Sequence, residues 1–408
     1  MNEQVVQRFR ALFDIYLLYI AFAMLVIGWH DTHTQIGWTL GDWLINYHGG
    51  FVRRGLVGEL VLHIGKAVHL SPLYVAAGLG MLLYVALWLS VRELLPRSSW
   101  SPWIPFAVLS PATLAFGILD DRAGFHKEII FLAGLGLLLL FLRKATVSDV
   151  FLSTYLTVAS AVCILSHEPL FVYMPYYVAA VVIGRESWRR VFGIMAVPFV
   201  IGVCCFYASA AHPGNRRVAS RICTSLTTLG PTVCDGAVDY ISHDRKFARK
   251  ELLTEMHRFH YASRYPAFAA LSLLPIAWGF YSLSKREQLR KDLWNVGALS
   301  FLSIVGSSVL FLYATDWGRW IYIHVFSLFL LLLFLSSRAA SPPSDYGRTM
   351  TWLQSWDRGK AVGLLLLLLL YSSTWNMPGY GDHPAHGYAN IVIHLLHHPR
   401  PNPPDATT

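Results

Sequence analysis

The chain has 408 residues, of which 55% are hydrophobic and 14% charged, with a mean hydropathy of +0.45. A soluble protein of this length carries nearly twice that charged fraction, so a soluble domain of ordinary size does not fit between the apolar runs. The formal charge of +9 and the pI near 9.3 do not argue for nucleic acid, because basic residues in membrane proteins gather in cytoplasmic loops.

The chain opens on a polar head with Arg8 and Arg10, followed by the apolar run Leu12 to Trp29. This run lacks a small-residue cleavage site and is too long for a signal-peptide core, so a retained signal-anchor helix is expected. Further spans are expected at Leu73 to Ser90, Trp103 to Ile118, Ile129 to Leu142, Val150 to Leu165, Leu170 to Ile183, Val191 to Ala211, Pro266 to Leu283, Val296 to Ala314, Ile321 to Ser336 and Ala361 to Thr374. Several are shorter than the roughly 20 residues a span needs, but flanking Trp and Tyr extend them into the headgroup belt. The expectation is all-α: a polytopic transmembrane bundle of about eleven helices forming a single integral membrane domain over residues 1–408.

With the N-terminus cytoplasmic, every expected inner loop holds at least two basic residues: Arg92 and Arg97; Arg143 and Lys144; Arg185, Arg189 and Arg190; Lys285, Arg286, Arg290 and Lys291; Arg338, Arg348, Arg358 and Lys360. The expected outer side includes a long loop, His212 to Tyr265, and a C-terminal tail, residues 375–408. Within the long loop, Cys223 and Cys234 are eleven apart and could close a disulfide in an oxidising compartment, whereas Cys163, Cys204 and Cys205 fall in apolar spans and read as small core residues. In the tail, His386 to His398 suits a short interfacial helix; its histidines, with His383, have no diagnostic metal spacing. No pattern in the chain calls for a metal or other cofactor.

The outer segments carry the chemistry-bearing residues. The first holds Asp31 and Asp42 and then Asn46-Tyr47-His48-Gly49-Gly50-Phe51-Val52-Arg53-Arg54-Gly55. Glycines let backbone approach a ligand and Arg offers a planar fork for phosphate oxygens, although arginines also snorkel to lipid headgroups. The second is Asp120-Asp121-Arg122-Ala123-Gly124-Phe125-His126-Lys127-Glu128, in which Lys127 and Glu128 enter the next helix at membrane depth. Such residues normally face a cavity or a partner, and the plainer reading is a helix start with local ion pairs. The third is Ser166-His167-Glu168-Pro169, a polar turn in a nearly continuous apolar stretch, which could also be a break exposed to water. Another, Thr315-Asp316-Trp317-Gly318-Arg319-Trp320, sets an acid and a base between indoles that either anchor the interface or stack on sugar rings. Arg216, Arg217 and Arg221 of the long loop read as solvated charges.

These motifs together resemble multi-spanning bacterial proteins of surface-polysaccharide synthesis, and more broadly O-antigen-polymerase-like and GT-C-type membrane glycosyltransferases. The likeness covers the architecture of the whole chain but only these short motifs in sequence. Neither Asp42 nor Asp31 stands in the paired-acid form common in GT-C enzymes, and the large soluble C-terminal domain of many members is not expected in this sequence. The resemblance implies a bacterial inner-membrane protein with its C-terminus outside. It would be a glycosyltransferase or polymerase using a polyprenyl-phosphate-linked saccharide at the extracytoplasmic face, among membrane lipid and other polysaccharide-assembly proteins, with no nucleic-acid partner. Under it, Arg53, Arg54, Arg122 and Arg319 would bind phosphate, and Asp42 (or Asp31 as the equivalent acid), His167 and Glu168 would handle protons. Asp120, Asp121, Lys127, Glu128, Asp316, Trp317 and Trp320 would complete the site. A transporter or flippase of lipid-linked saccharide, a membrane acyltransferase using His167 with Glu168, and a non-catalytic assembly subunit remain open alternatives.

Overall fold

The structure is a computed structural model that describes residues 3–34, 37–96, 101–144, 146–227, 229, 233–338, 358–381 and 387–388. Among them every regular element is helical: α1 (Glu3–Thr34), α2 (Gly55–Val68), α3 (Pro72–Leu94), α4 (Trp103–Val108), α5 (Phe116–Leu119), α6 (Glu128–Leu142), α7 (Asp149–Ser166), α8 (Pro175–Arg185), α9 (Trp188–Ala211), α10 (Arg216–Thr227), α11 (Ala237–Tyr240), α12 (Arg245–Arg258), α13 (Tyr261–Ser284), α14 (Arg290–Ser307), α15 (Trp317–Arg338) and α16 (Arg358–Ser373). Short 3₁₀ turns at Leu40–Leu44, Asp121–Ala123 and Glu168–Tyr173 carry much of the polar chemistry.

Seven helices are long and apolar enough to cross a membrane: α1, α3, α7, α9, α13, α14 with its flanking turns, and α15. The other four expected spans are shorter or broken. Helix α6 has 15 residues and α16 has 16. Trp103 to Ile118 is not one helix but α4 and α5 separated by turns, and the sequence places Pro105 and Pro111 in this stretch, where missing N–H donors oppose a continuous ladder. Leu170 to Ile183 is likewise divided into the Glu168–Tyr173 turn and α8, with Pro175 at the start of the helix. The interfacial helix expected at His386 to His398, and most of the tail, lie outside the described residues.

Local chemistry sets the helix boundaries. Ser71 caps α3 by accepting from the Leu73 amide, with Pro72 at the first helical position, and Ser148 caps α7 through the Phe151 amide at 3.2 Å. Outward faces of α1, α9, α14 and α16 expose Leu18, Phe22, Phe192, Phe199, Trp294, Phe301, Leu366 and Leu370, an apolar belt suited to lipid. Cys204, expected in the core, belongs to this exposed face of α9, whereas Cys163 is buried.

Helix α15 sits at the centre: 83% of its span is buried, against 22–39% for the other six long helices. It is held at three heights. Arg319 binds Glu128 near its start. His324 lies between the Tyr176 hydroxyl at 2.7 Å and Ser307 Oγ at 2.8 Å, and Arg338 at its end binds Glu186 at 2.7 Å. Ser307 donates to the Ile304 carbonyl, so the His324 Nε2–H donates to Ser307 and Nδ1 accepts from Tyr176.

The two ends of the bundle differ in kind. One carries exposed ion pairs between Arg92 and Asp14 at 2.7 Å, Arg190 and Asp149 at 2.8 Å, and Arg338 and Glu186. The other gathers the polar turns between helices into a buried cluster.

Candidate functional site

The cluster is assembled by five separate segments. The 3₁₀ turn after α1 presents Asp42, and the loop that follows ends in Arg53 and Arg54 at the start of α2. Arg54 adopts a left-handed conformation, φ 67°, uncommon for a residue other than glycine, as does Phe125 at φ 52°. Both turns are tied down. The Lys127 ammonium donates to the Arg54 carbonyl at 2.8 Å, and the Trp43 indole N–H donates to the Phe125 carbonyl. The first loop also packs tightly on α2: a Cβ on Gly58 would collide with the Ile45 carbonyl, so only glycine permits this approach.

Two ionic groups result. In the first, Glu168 accepts from Arg53 Nη1 at 3.3 Å and from Arg54 Nε at 3.0 Å, while Lys127 Nζ lies 3.7 Å from Asp42 Oδ1. The second is a bidentate pair in which Arg319 Nε and Nη2 reach Glu128 at 2.7 and 2.8 Å, with Arg319 Nη1 also 3.2 Å from Asp316. His167 is the neighbour between them. It is 2% exposed, its ring lies 5.8 Å from that of Trp320 in a stacked arrangement, and neither nitrogen has a hydrogen-bond partner among the described residues. Neither Asp42 oxygen accepts a hydrogen bond there either.

Burial is the largest influence holding the His167 imidazole well below its ordinary pKa, and Arg54, Arg319 and Lys127 add to it, so the ring is neutral. His126 is lowered too, first by burial and then by Arg319, and its Nε2–H donates to the Arg122 carbonyl at 2.8 Å. For Glu168, burial pushes the carboxyl up, but Arg54 and Arg53 together outweigh it and leave the group below the usual range.

The site therefore brings together Asp42, Arg53, Arg54, Lys127, Glu128, His167, Glu168, Asp316, Arg319 and Trp320. Trp317 is adjacent but turned toward Tyr261, Tyr265 and Phe311. Asp120 serves the backbone instead, accepting from the Gly379 amide at 2.6 Å and the Arg122 amide at 3.0 Å. Arg122 is exposed, its main chain bonds Asp120 and His126, and the Asp121 side chain lies outside the described residues. Asp31 is buried apart from the cluster, accepting from Thr39 Oγ1 at 2.9 Å.

No family model matches the chain, and neither a curated protein nor a solved structure matches it. The site must be read from its own geometry.

Three features were not foreseen from sequence. Trp43 and Phe125 lock two loops together 82 positions apart. A strap after α16 crosses the same end: Asn376 donates to the Leu119 carbonyl at 3.0 Å, Tyr265 to the Pro378 carbonyl at 3.2 Å, and the Gly381 amide to Tyr261 at 3.2 Å. Finally, His324 with Tyr176 and Ser307 forms a polar chain at membrane depth, about 7 Å along α15 from Arg319. A single histidine inside an otherwise apolar helix was the available signal for it. The Cys223–Cys234 disulfide is present, with the Cα atoms 5.6 Å apart.

Proposed function

We propose that this is a multi-pass membrane glycosyltransferase, of single sugars or of polysaccharide repeat units, that draws on a polyprenyl-phosphate-linked donor at the extracytoplasmic end of an eleven-crossing bundle. The observation that carries the reading is the convergence, at one end of the helices, of two adjacent arginines with a buried acid and a buried histidine whose side chains make no hydrogen bond among the described residues. Arg53 and Arg54 would hold the donor phosphate and balance its charge as the anomeric carbon becomes cationic. Asp42, Glu168 or His167 would take the proton of the acceptor hydroxyl, with Lys127, 3.7 Å from Asp42, helping to hold that carboxylate in place. Arg319 has a different task in this reading. Its bidentate pair with Glu128 anchors α15 to α6 beneath the site, so it is a positioning residue and not a phosphate ligand.

The test is a chromosomal deletion, complemented by wild type, Arg53→Ala or Arg54→Ala, with surface glycans and lipid-linked intermediates analysed. Both variants should remain in the membrane and lose transfer. Accumulated single repeat units would identify a polymerase, and loss of one sugar a simple transferase. Full activity of both variants would remove the assignment. Translocation of a lipid-linked saccharide is a second reading, favoured by the broken segment Glu168–Tyr173 and α8 directly beside the charges, since transporters place their sites at discontinuous helices. Proteoliposomes that move a labelled lipid-linked saccharide between leaflets without transferring its sugar would select it.

A further inference from the structure

The ion pairs of the cluster are not equivalent. Arg319 grips Glu128 through two parallel bonds, and these side chains are 7% and 3% exposed; Lys127 and Asp42 are 0% and 5% exposed. Glu168 instead receives a single bond from each of two arginines, at 3.3 and 3.0 Å, and those arginines are 25% and 24% exposed. One carboxylate thus faces two guanidinium groups, which leaves this corner one negative charge short, and Arg53 Nε has no hydrogen-bond partner among the described residues. A phosphate has more acceptor oxygens than a carboxylate and matches two guanidinium forks better. This contact is more open than the Arg319–Glu128 and Lys127–Asp42 pairs, and it leaves a guanidinium N–H without a partner among the described residues.

Resting on the glycosyl-donor reading, we infer that Glu168 is an internal occupant of the anion seat formed by Arg53 and Arg54, displaced when the phosphate of a polyprenyl-linked ligand arrives. The exchange swaps N–H···carboxylate bonds for N–H···phosphate bonds and changes no covalent bond. A carboxylate released from two arginines is a stronger base than one held by them. Ligand binding therefore frees the group that accepts the acceptor's proton, as the new glycosidic bond forms and the phosphate departs with the electron pair of the broken one. With no donor in the seat the base stays engaged, which guards the site against idle proton transfer.

The test uses the full-length protein in lipid nanodiscs doped with a polyprenyl monophosphate that carries no sugar. Glu168→Gln, which keeps the shape but removes the competing charge, should bind the lipid about fivefold more tightly than wild type, the factor for losing a partly exposed ion pair. In the complemented deletion strain Glu168→Gln should lose transfer, and in the nanodisc assay Arg54→Ala should lose binding. In the wild-type protein, carbodiimide labelling of Glu168, read by peptide mass spectrometry, should rise when the lipid phosphate is added; this arm does not depend on how any variant folds. Equal or weaker binding by a folded Glu168→Gln, or labelling indifferent to the ligand, overturns the inference. If inorganic phosphate displaces Glu168 and the polyprenyl phosphate does not, the anion seat stands and the glycosyl-donor reading falls.

Discussion

Arg319 and Glu128 illustrate how a charge can be kept inside a membrane protein. Each alone would be prohibitively costly at this depth, and their bidentate contact makes each the other's solvent. Arg319→Ala should therefore destabilise by roughly 3–5 kcal/mol, because Glu128 is left buried without its partner. The double replacement Arg319→Met with Glu128→Leu should recover most of that loss, and thermal unfolding in detergent distinguishes the two outcomes. Glu168 gives the pH dependence. Its folded value is depressed by Arg54 and Arg53, so its contribution is present above the ordinary carboxyl value and disappears as pH falls through the folded one. Wild type should accordingly lose thermal stability faster than Glu168→Gln on acidification below about pH 5, and parallel curves would exclude a stabilising role for the pair.

Elements bring these residues together by where they stop. Helix α7 ends at Ser166, α6 begins at Glu128 and α15 begins at Trp317, all at the same end as the two-arginine loop. That convergence was legible in the sequence, because alternation of apolar runs fixes which loops share a side. The interrupted segments were not, since a hydropathy window cannot tell α4 and α5 from a continuous helix when both are apolar. Nor were the Trp43 and Phe125 contact or the strap over Asp120, which depend on tertiary pairing of residues far apart in the chain. The strap offers its own test. A Cβ at Gly318 would collide with the Pro378 carbonyl, so Gly318→Ala should lift the strap and increase proteolysis after residue 373, leaving α15 itself inserted. The segment between α9 and α13 offers another: the Cys223–Cys234 bridge ties the last turns of α10 to the chain that follows it, and Cys223→Ser with Cys234→Ser should cost about 3 kcal/mol on the chain-entropy model, measured as a lowered melting temperature relative to the oxidised protein.

At the level of the whole molecule, the composition and basic-loop pattern indicated a helical, multi-pass protein, and seven helices of spanning length and composition agree with it. The separation of charge types agrees as well: exposed arginine pairs at one end, buried acid–base contacts at the other. Single cysteines introduced at Phe51 and Tyr313, both exposed at the site end, should react with an impermeant thiol reagent from one side of the membrane, and a cysteine at Lys291 from the other. Labelling of Phe51→Cys and Tyr313→Cys from opposite sides would dismantle the common site.

The central position of α15 carries a mechanical meaning. Arg319, His324 and Arg338 face different directions around its axis and span about 28 Å of its length, close to the thickness of a hydrocarbon layer. A turn or a piston stroke of this helix would have to break salt bridge and imidazole contacts together, so it serves as a fixed axle, and motion that opens the end carrying the buried cluster would come from the shorter, interrupted segments packed around it. Its amides should accordingly be the last in the protein to exchange with heavy water.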